Sequence, residues 1–169
     1  MQTVDTIITP KWLIPIEPFG SVLRECSIAI SGSRIIAVGP TERLLNQYQA
    51  TEHLILPEHV LMPGFVNAHC HSPMVLMRGI ADDVDLMTWL GQHIWPYEEK
   101  VLGPQFIQIG MALAMAEMLE SGTTCFAEHY FYPDLIAKSV DQIGMRAQVG
   151  LWMGEVSNTW SYSLEDCYR

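Results

Sequence analysis

The sequence predicts an α/β protein: a small β-rich unit followed by βα units on a parallel sheet. Residues 1–60 are rich in β-branched residues and punctuated by Pro and Gly. After Pro63 short apolar runs alternate with longer helical ones, in the order strand, helix, strand, helix, strand. That order is the rhythm of crossover connections between parallel strands.

In the first unit, "VDTIITPKWLIPI" reads as extended chain broken by Pro10 and Pro15. "SIAISGSRIIAVG" is a hairpin, two alternating runs joined around Gly32 and Ser33. "PTERLLNQY" fits a short helix with Pro40 at its start, and "HLILPEHVLMPGF" returns to extended chain through Pro57 and Pro63.

In the second unit, "GFVNAH" is a short apolar run of the kind a buried parallel strand shows. "DVDLMTWLGQHIW" is helical, with Asp85 as its N-cap. "GPQFIQIGMALAMAEMLESG" is a longer helix, with Pro104 in its first turn and Gly122 at its stop. Met111, Met115 and Met118 form a core stripe on it. "TTCFAEHYF" is a strand, "PDLIAKSVDQIG" a helix ending at Gly144, and "RAQVGLWMG" a third strand. About 109 residues follow position 60, room for about three strands at roughly 30 residues per βαβ step. A closed (β/α)8 barrel needs about 200 to 250 residues, so the chain reads as the front part of a larger domain.

Composition narrows the function. The formal charge is −10 and only nine residues are Lys or Arg. No basic cluster suits a phosphate backbone, so nucleic acid is not an expected partner and a small neutral or cationic molecule is. Cys26, Cys70, Cys125 and Cys167 form no C-x-x-C pair, which suits reduced thiols in the cytoplasm. "MQTVDTIITP" lacks the marks of a signal peptide, and no run approaches a membrane span. A soluble cytoplasmic protein is expected.

The chemistry centres on "MPGFVNAHCHSPMVLMRG". Side chains at i and i+2 share one face of a strand, so His69 and His71 point one way and Cys70 the other. Two imidazoles on one face can hold a metal, and strand C-termini are where parallel sheets place their sites. A pair of structural histidines fits the bare spacing too.

"LMPGFVNAHCHSPM" resembles the signature that opens the barrel in the amidohydrolase superfamily. "SIAISGSRIIAVG" resembles the β-sandwich hairpin that precedes it. "MRGIADDVDLMTWLGQHIWPYEEKVL" is similar to the adenosine-type deaminase branch, in particular the 5'-methylthioadenosine/S-adenosylhomocysteine deaminases. The resemblance implies residues 1–60 as an N-terminal β-sandwich segment and 61–169 as about three βα units of a TIM barrel. It implies one Zn²⁺ per subunit, or Fe²⁺ or another divalent ion, held by His69 and His71 with ligands beyond Arg169. Hydroxide from that metal would attack an adenine-type ring carbon and release ammonia. The acid–base groups would also lie beyond Arg169, so this stretch alone is expected to be inactive. Homo-oligomers are common among such relatives.

The resemblance also assigns Glu98 to the ribose hydroxyls, since a carboxylate is acceptor-only; by itself Glu98 reads as a solvated charge beside Glu99 and Lys100. Leu86 and Trp89 would touch substrate, with core packing as the alternative. Glu128 and His129 end the second strand, so His129 either faces substrate or positions the ligands from behind. Asp82, Asp83 and Asp85 lack a Ca²⁺-loop pattern and read as loop and cap. Other readings stay open at this level: a guanine or aminoheterocycle deaminase, a chlorohydrolase, or a non-catalytic binding or assembly module on the same fold.

Overall fold

Strand β1 (Gln2–Leu13) is the spine of the first unit. It pairs antiparallel with β2 (Cys26–Ser31) and parallel with β4 (Tyr48–Leu61), and β3 (Arg34–Pro40) completes the sheet in the order β3-β2-β1-β4. The computed structural model describes residues 1–153 with Trp160, Ser163, Glu165 and Asp166. Cys167 and Arg169 lie outside the described residues. Helix α1 (Thr41–Gln47) lays Leu44 against Val4, Ile7 and Ala29. Within this unit, Met1–Pro63, the extended segments form one sheet.

The hairpin turns at Gly32, whose φ of 56° suits glycine and whose N–H donates to the Asp5 carboxylate at 2.5 Å. Pro10 does not break β1. The antiparallel partner's pairing begins at Ile8, and the parallel register shifts between Pro10 and Trp12. A missing N–H is tolerated at such a bulge. Pro57 falls in the same irregularity, between the partners Leu56 and Val60. His53, for which the sequence suggested no partner, bonds through Nε2 to Thr9 Oγ1 at 2.8 Å.

The second unit, Gly64–Arg169, carries a parallel sheet in the order β5-β6-β7: Phe65–Cys70, Thr123–Tyr130 and Arg146–Leu151. From β5 the chain passes through a 3-10 helix (Ser72–Met77), helix α2 (Leu86–Thr88), a π-helical turn (Trp89–Ile94), α3 (Trp95–Val101) and α4 (Pro104–Glu120). Helix α5 (Pro133–Ile143) joins β6 to β7 and stops at Gly144, left-handed at φ 80°. Met111 and Met115 are buried with Ile107, Phe126, Tyr130, Ile136 and Val140, and Met118 packs on that cluster. Asp85 caps α2, accepting from the backbone N–H groups of Met87 and Thr88 at 3.1 Å.

Strand β5 departs from its expected burial. In this stretch β5 pairs on one side only, with β6, and Phe65 and Val66 are 56% and 68% exposed. Behind it, α4 approaches the 3-10 helix so closely that a Cβ on Gly110 would lie 2.7 Å from Pro73 Cα and O. Among the described residues no single helix is long and apolar enough to cross a membrane.

Candidate metal centre

The carboxyl ends of the parallel strands β5 and β6 lie at one end of the sheet and carry His69, Glu128 and His129, with His71 just beyond β5. The β5–β6 register pairs Cys70 with Glu128, which sets His71 beside His129. The rings of His69 and His71 lie 4.9 Å apart at 84°. Two imidazoles bound to one tetrahedral Zn²⁺ at about 2.0–2.1 Å would have centres about 5 Å apart, so the pair fits a shared metal. Both residues are exposed.

His71 Nδ1 is hydrogen-bonded to the His129 carbonyl oxygen. A carbonyl only accepts, so Nδ1 carries the proton and Nε2 presents its lone pair. Metal-binding histidines are commonly oriented in this way. Among the described residues no group of three or more His, Cys, Asp or Glu is arranged to hold a metal. The donor set here is two imidazoles.

Glu128, 2% exposed, ties this corner together. Its carboxylate accepts from Ser72 N–H at 2.9 and 3.1 Å and from His129 N–H at 3.1 Å. Cys70 Sγ donates to the Ala127 carbonyl at 3.3 Å, away from the histidines. Burial pushes its thiol up to about 11, despite the opposing hydrogen bond from Ser72. Of the four cysteines, Cys26, Cys70 and Cys125 are free thiols.

Beside His71 opens a cleft of about 400 Å³, lined by Leu86, Trp89, Glu98, His129, Tyr130 and Trp152 among others. Glu98 is only 8% exposed, so the solvated-charge alternative fails. Tyr130 O–H donates to Glu98 Oε1. Burial pushes the Glu98 carboxyl above its ordinary value, against the lowering effects of that bond and of His71. Burial and the facing Glu98 and Glu128 push the Tyr130 phenol up, so it remains a donor. Leu86 is 65% exposed and stands at the lip, outside any core. Trp89 is anchored by Nε1–H to the Ile80 carbonyl at 3.1 Å.

The π turn explains how Glu98 reaches the cleft. Twelve residues of unbroken α-helix would leave Glu98 about 120° around the axis from Leu86. One extra residue in the turn takes back about 100°, returning Glu98 to the face of Leu86 and Trp89. Sequence reasoning overlooked Tyr130 and Trp152. "EHYF" offered one signal, since period 2 sets Tyr130 on the face of Glu128 at a strand end.

The amidohydrolase family profile matches residues 60–165. The 5-methylthioadenosine/S-adenosylhomocysteine deaminase of Teredinibacter turnerae is 42% identical over 164 residues, 97% of this chain and 37% of the relative. Its counterpart from Saccharophagus degradans is 43% identical over 162 residues, 96% of this chain and 36% of the relative. The chain thus spans little more than a third of these relatives. An adenosine deaminase from Xanthomonas campestris, solved with bound zinc, superposes with a TM-score of 0.96 at 42% identity, covering 99% of this chain and 38% of that one. An atrazine chlorohydrolase from Arthrobacter aurescens with zinc shares the fold alone, at a TM-score of 0.74 and 21% identity over 84% of this chain and 34% of that one. On the family match over most of its length, the chain belongs to the amidohydrolase family.

Proposed function

We propose that this chain is the first part of a TIM-barrel, metal-dependent deaminase of adenosine-like nucleosides. Methylthioadenosine or S-adenosylhomocysteine would yield the inosine analogue and ammonia. Residues 1–60 would form the β-sandwich segment and 61–169 the opening βα units. The observation that carries the reading is that His71, held with Nε2 available, shares one cleft with the buried carboxylate Glu98. The names of the relatives at 42% and 43% identity support it.

His69 and His71 would hold Zn²⁺, or Fe²⁺ or another divalent ion, with the remaining ligands and the acid–base group supplied beyond Arg169. When bound, such an ion supplies hydroxide at neutral pH by lowering the pKa of water. Glu98 accepts hydrogen bonds from the ribose hydroxyls, which orients the base toward the histidines. Leu86 and Trp89 cover the nucleoside at the lip, and His129 faces it from β6. The reading is of a cytoplasmic enzyme of nucleoside metabolism, acting on free nucleosides and assembling as a homo-oligomer.

The test is ammonia release by the zinc-loaded protein as its gene encodes it, its intact mass first compared with the 19.1 kDa of this chain. Release from methylthioadenosine with guanine untouched is expected. Release from guanine alone, or chloride from atrazine, would move the protein to another branch of the family. Tight zinc uptake with no turnover of any of them would favour a non-catalytic module.

A further inference from the structure

We propose that Tyr130 is the positioning residue for Glu98, fixing which carboxylate oxygen meets the nucleoside. The proposal rests on the reading of Glu98 as the hydroxyl acceptor. It adds a residue on a different element, with a separate role.

The geometry is specific. Glu98 projects from α3, and the Tyr130 phenol rises from the carboxyl end of β6, itself 5% exposed within the core cluster. Its O–H donates to Oε1. Among the described residues no other hydrogen bond and no ion pair holds this carboxylate; the two salt bridges there are Lys11–Glu58 and Arg78–Glu117. Oε2 has no hydrogen-bond partner among the described residues, yet no side-chain oxygen of those residues is both buried and unpartnered. Oε2 therefore keeps some access to solvent, and Glu98 lines the cleft. One oxygen is tied to the sheet and the other is presented.

This division of labour follows from burial. A carboxylate taken out of water needs donors to remain charged. A cation would satisfy both oxygens and compete with the substrate. A single phenol satisfies one and leaves the other its full acceptor capacity. Tyr130 is fixed by its neighbours, with ring centres 5.0 Å from Phe131 and 6.2 Å from His71. The carboxylate thus inherits the rigidity of the β6 end, where His129 also accepts from His71.

The experiment compares adenosine with 2',3'-dideoxyadenosine, by steady-state kinetics on the zinc-loaded protein and by equilibrium binding to the metal-stripped protein. Tyr130→Phe keeps the ring and removes the donor. It is expected to raise KM and Kd for adenosine about tenfold, the worth of a hydrogen bond to a charged group. The kcat should stay within about twofold, and dideoxyadenosine should bind as before. Equal losses with both nucleosides, or no loss with either, would overturn the proposal. If the unaltered protein binds both equally well, the reading of Glu98 itself fails, and the proposal with it. Should Tyr130→Phe not fold, Glu98→Asp withdraws the carboxylate from the phenol instead. It is expected to show the same hydroxyl-dependent loss, and binding both nucleosides as the parent does would overturn the proposal.

Discussion

The Nδ1–H of His71 donates across the β5–β6 boundary to the backbone carbonyl of His129. The orientation of one candidate metal ligand is thus set by main chain rather than by the neighbouring imidazole.

That distinction separates two substitutions. His71→Ala removes a ligand and is expected to weaken zinc binding by at least about 100-fold, the upper end of what losing even a supporting partner costs. His129→Ala leaves the carbonyl in place, so zinc affinity should change little. Chelator competition on both variants measures this. Equal losses would mean that the His129 ring, and not its backbone, supports the site.

Glu128 offers a stability test. Its buried carboxylate satisfies the N–H groups of Ser72 and His129. Glu128→Ala strands both donors and is expected to destabilise the protein by about 2 kcal/mol or more. The urea midpoint reports the change. A midpoint unmoved from the parent's would show that neither bond matters to stability.

Gly110 tests the close approach behind the site. Alanine favours a helix over glycine by about 1 kcal/mol. Here the new methyl would meet Pro73 backbone at 2.7 Å, and backbone cannot rotate away. Overpacking costs about 1–3 kcal/mol, so the clash should win. Gly110→Ala is expected to lower the melting temperature and to disturb the 3-10 helix that follows His71. A rise in melting temperature would contradict the argument.

Asp85 carries a pH dependence. Hydrogen bonds from the Thr88 side chain and backbone hold its carboxyl below the ordinary value. A depressed carboxyl stabilises the fold above its unfolded pKa, and that contribution is lost as pH falls through the folded value. Asparagine caps without titrating. In an acid titration of thermal stability, Asp85→Asn should therefore lose less than the parent. Parallel titration curves would remove Asp85 from the account.

The parts legible in the sequence were those written in local pattern. The turn at Gly32, the cap at Asp85, the stop at Gly144 and the Met111–Met115 stripe each depend on a few neighbouring residues. The shared face of His69 and His71 follows from period 2 alone. Glu98 was different: beside Glu99 and Lys100 its own surroundings spoke for solvent, and only the resemblance pointed inward. Tyr130 offered a strand position and nothing about its partner on α3.

By itself, then, the sequence determined the order of the strands and of helices α1, α4 and α5, and the spacing of the two imidazoles, but not the 3-10 helix or the π turn. Hydrogen-bond period and capping act within a turn or two, so they are written locally. The tertiary structure alone decided two things: the bond from His71 to His129 and the burial of Glu98 against Tyr130. Each depends on which strand lies beside which, on the register between β5 and β6, or on the phase shift through the π turn. Packing between residues distant in the chain selects these, and no local pattern encodes them.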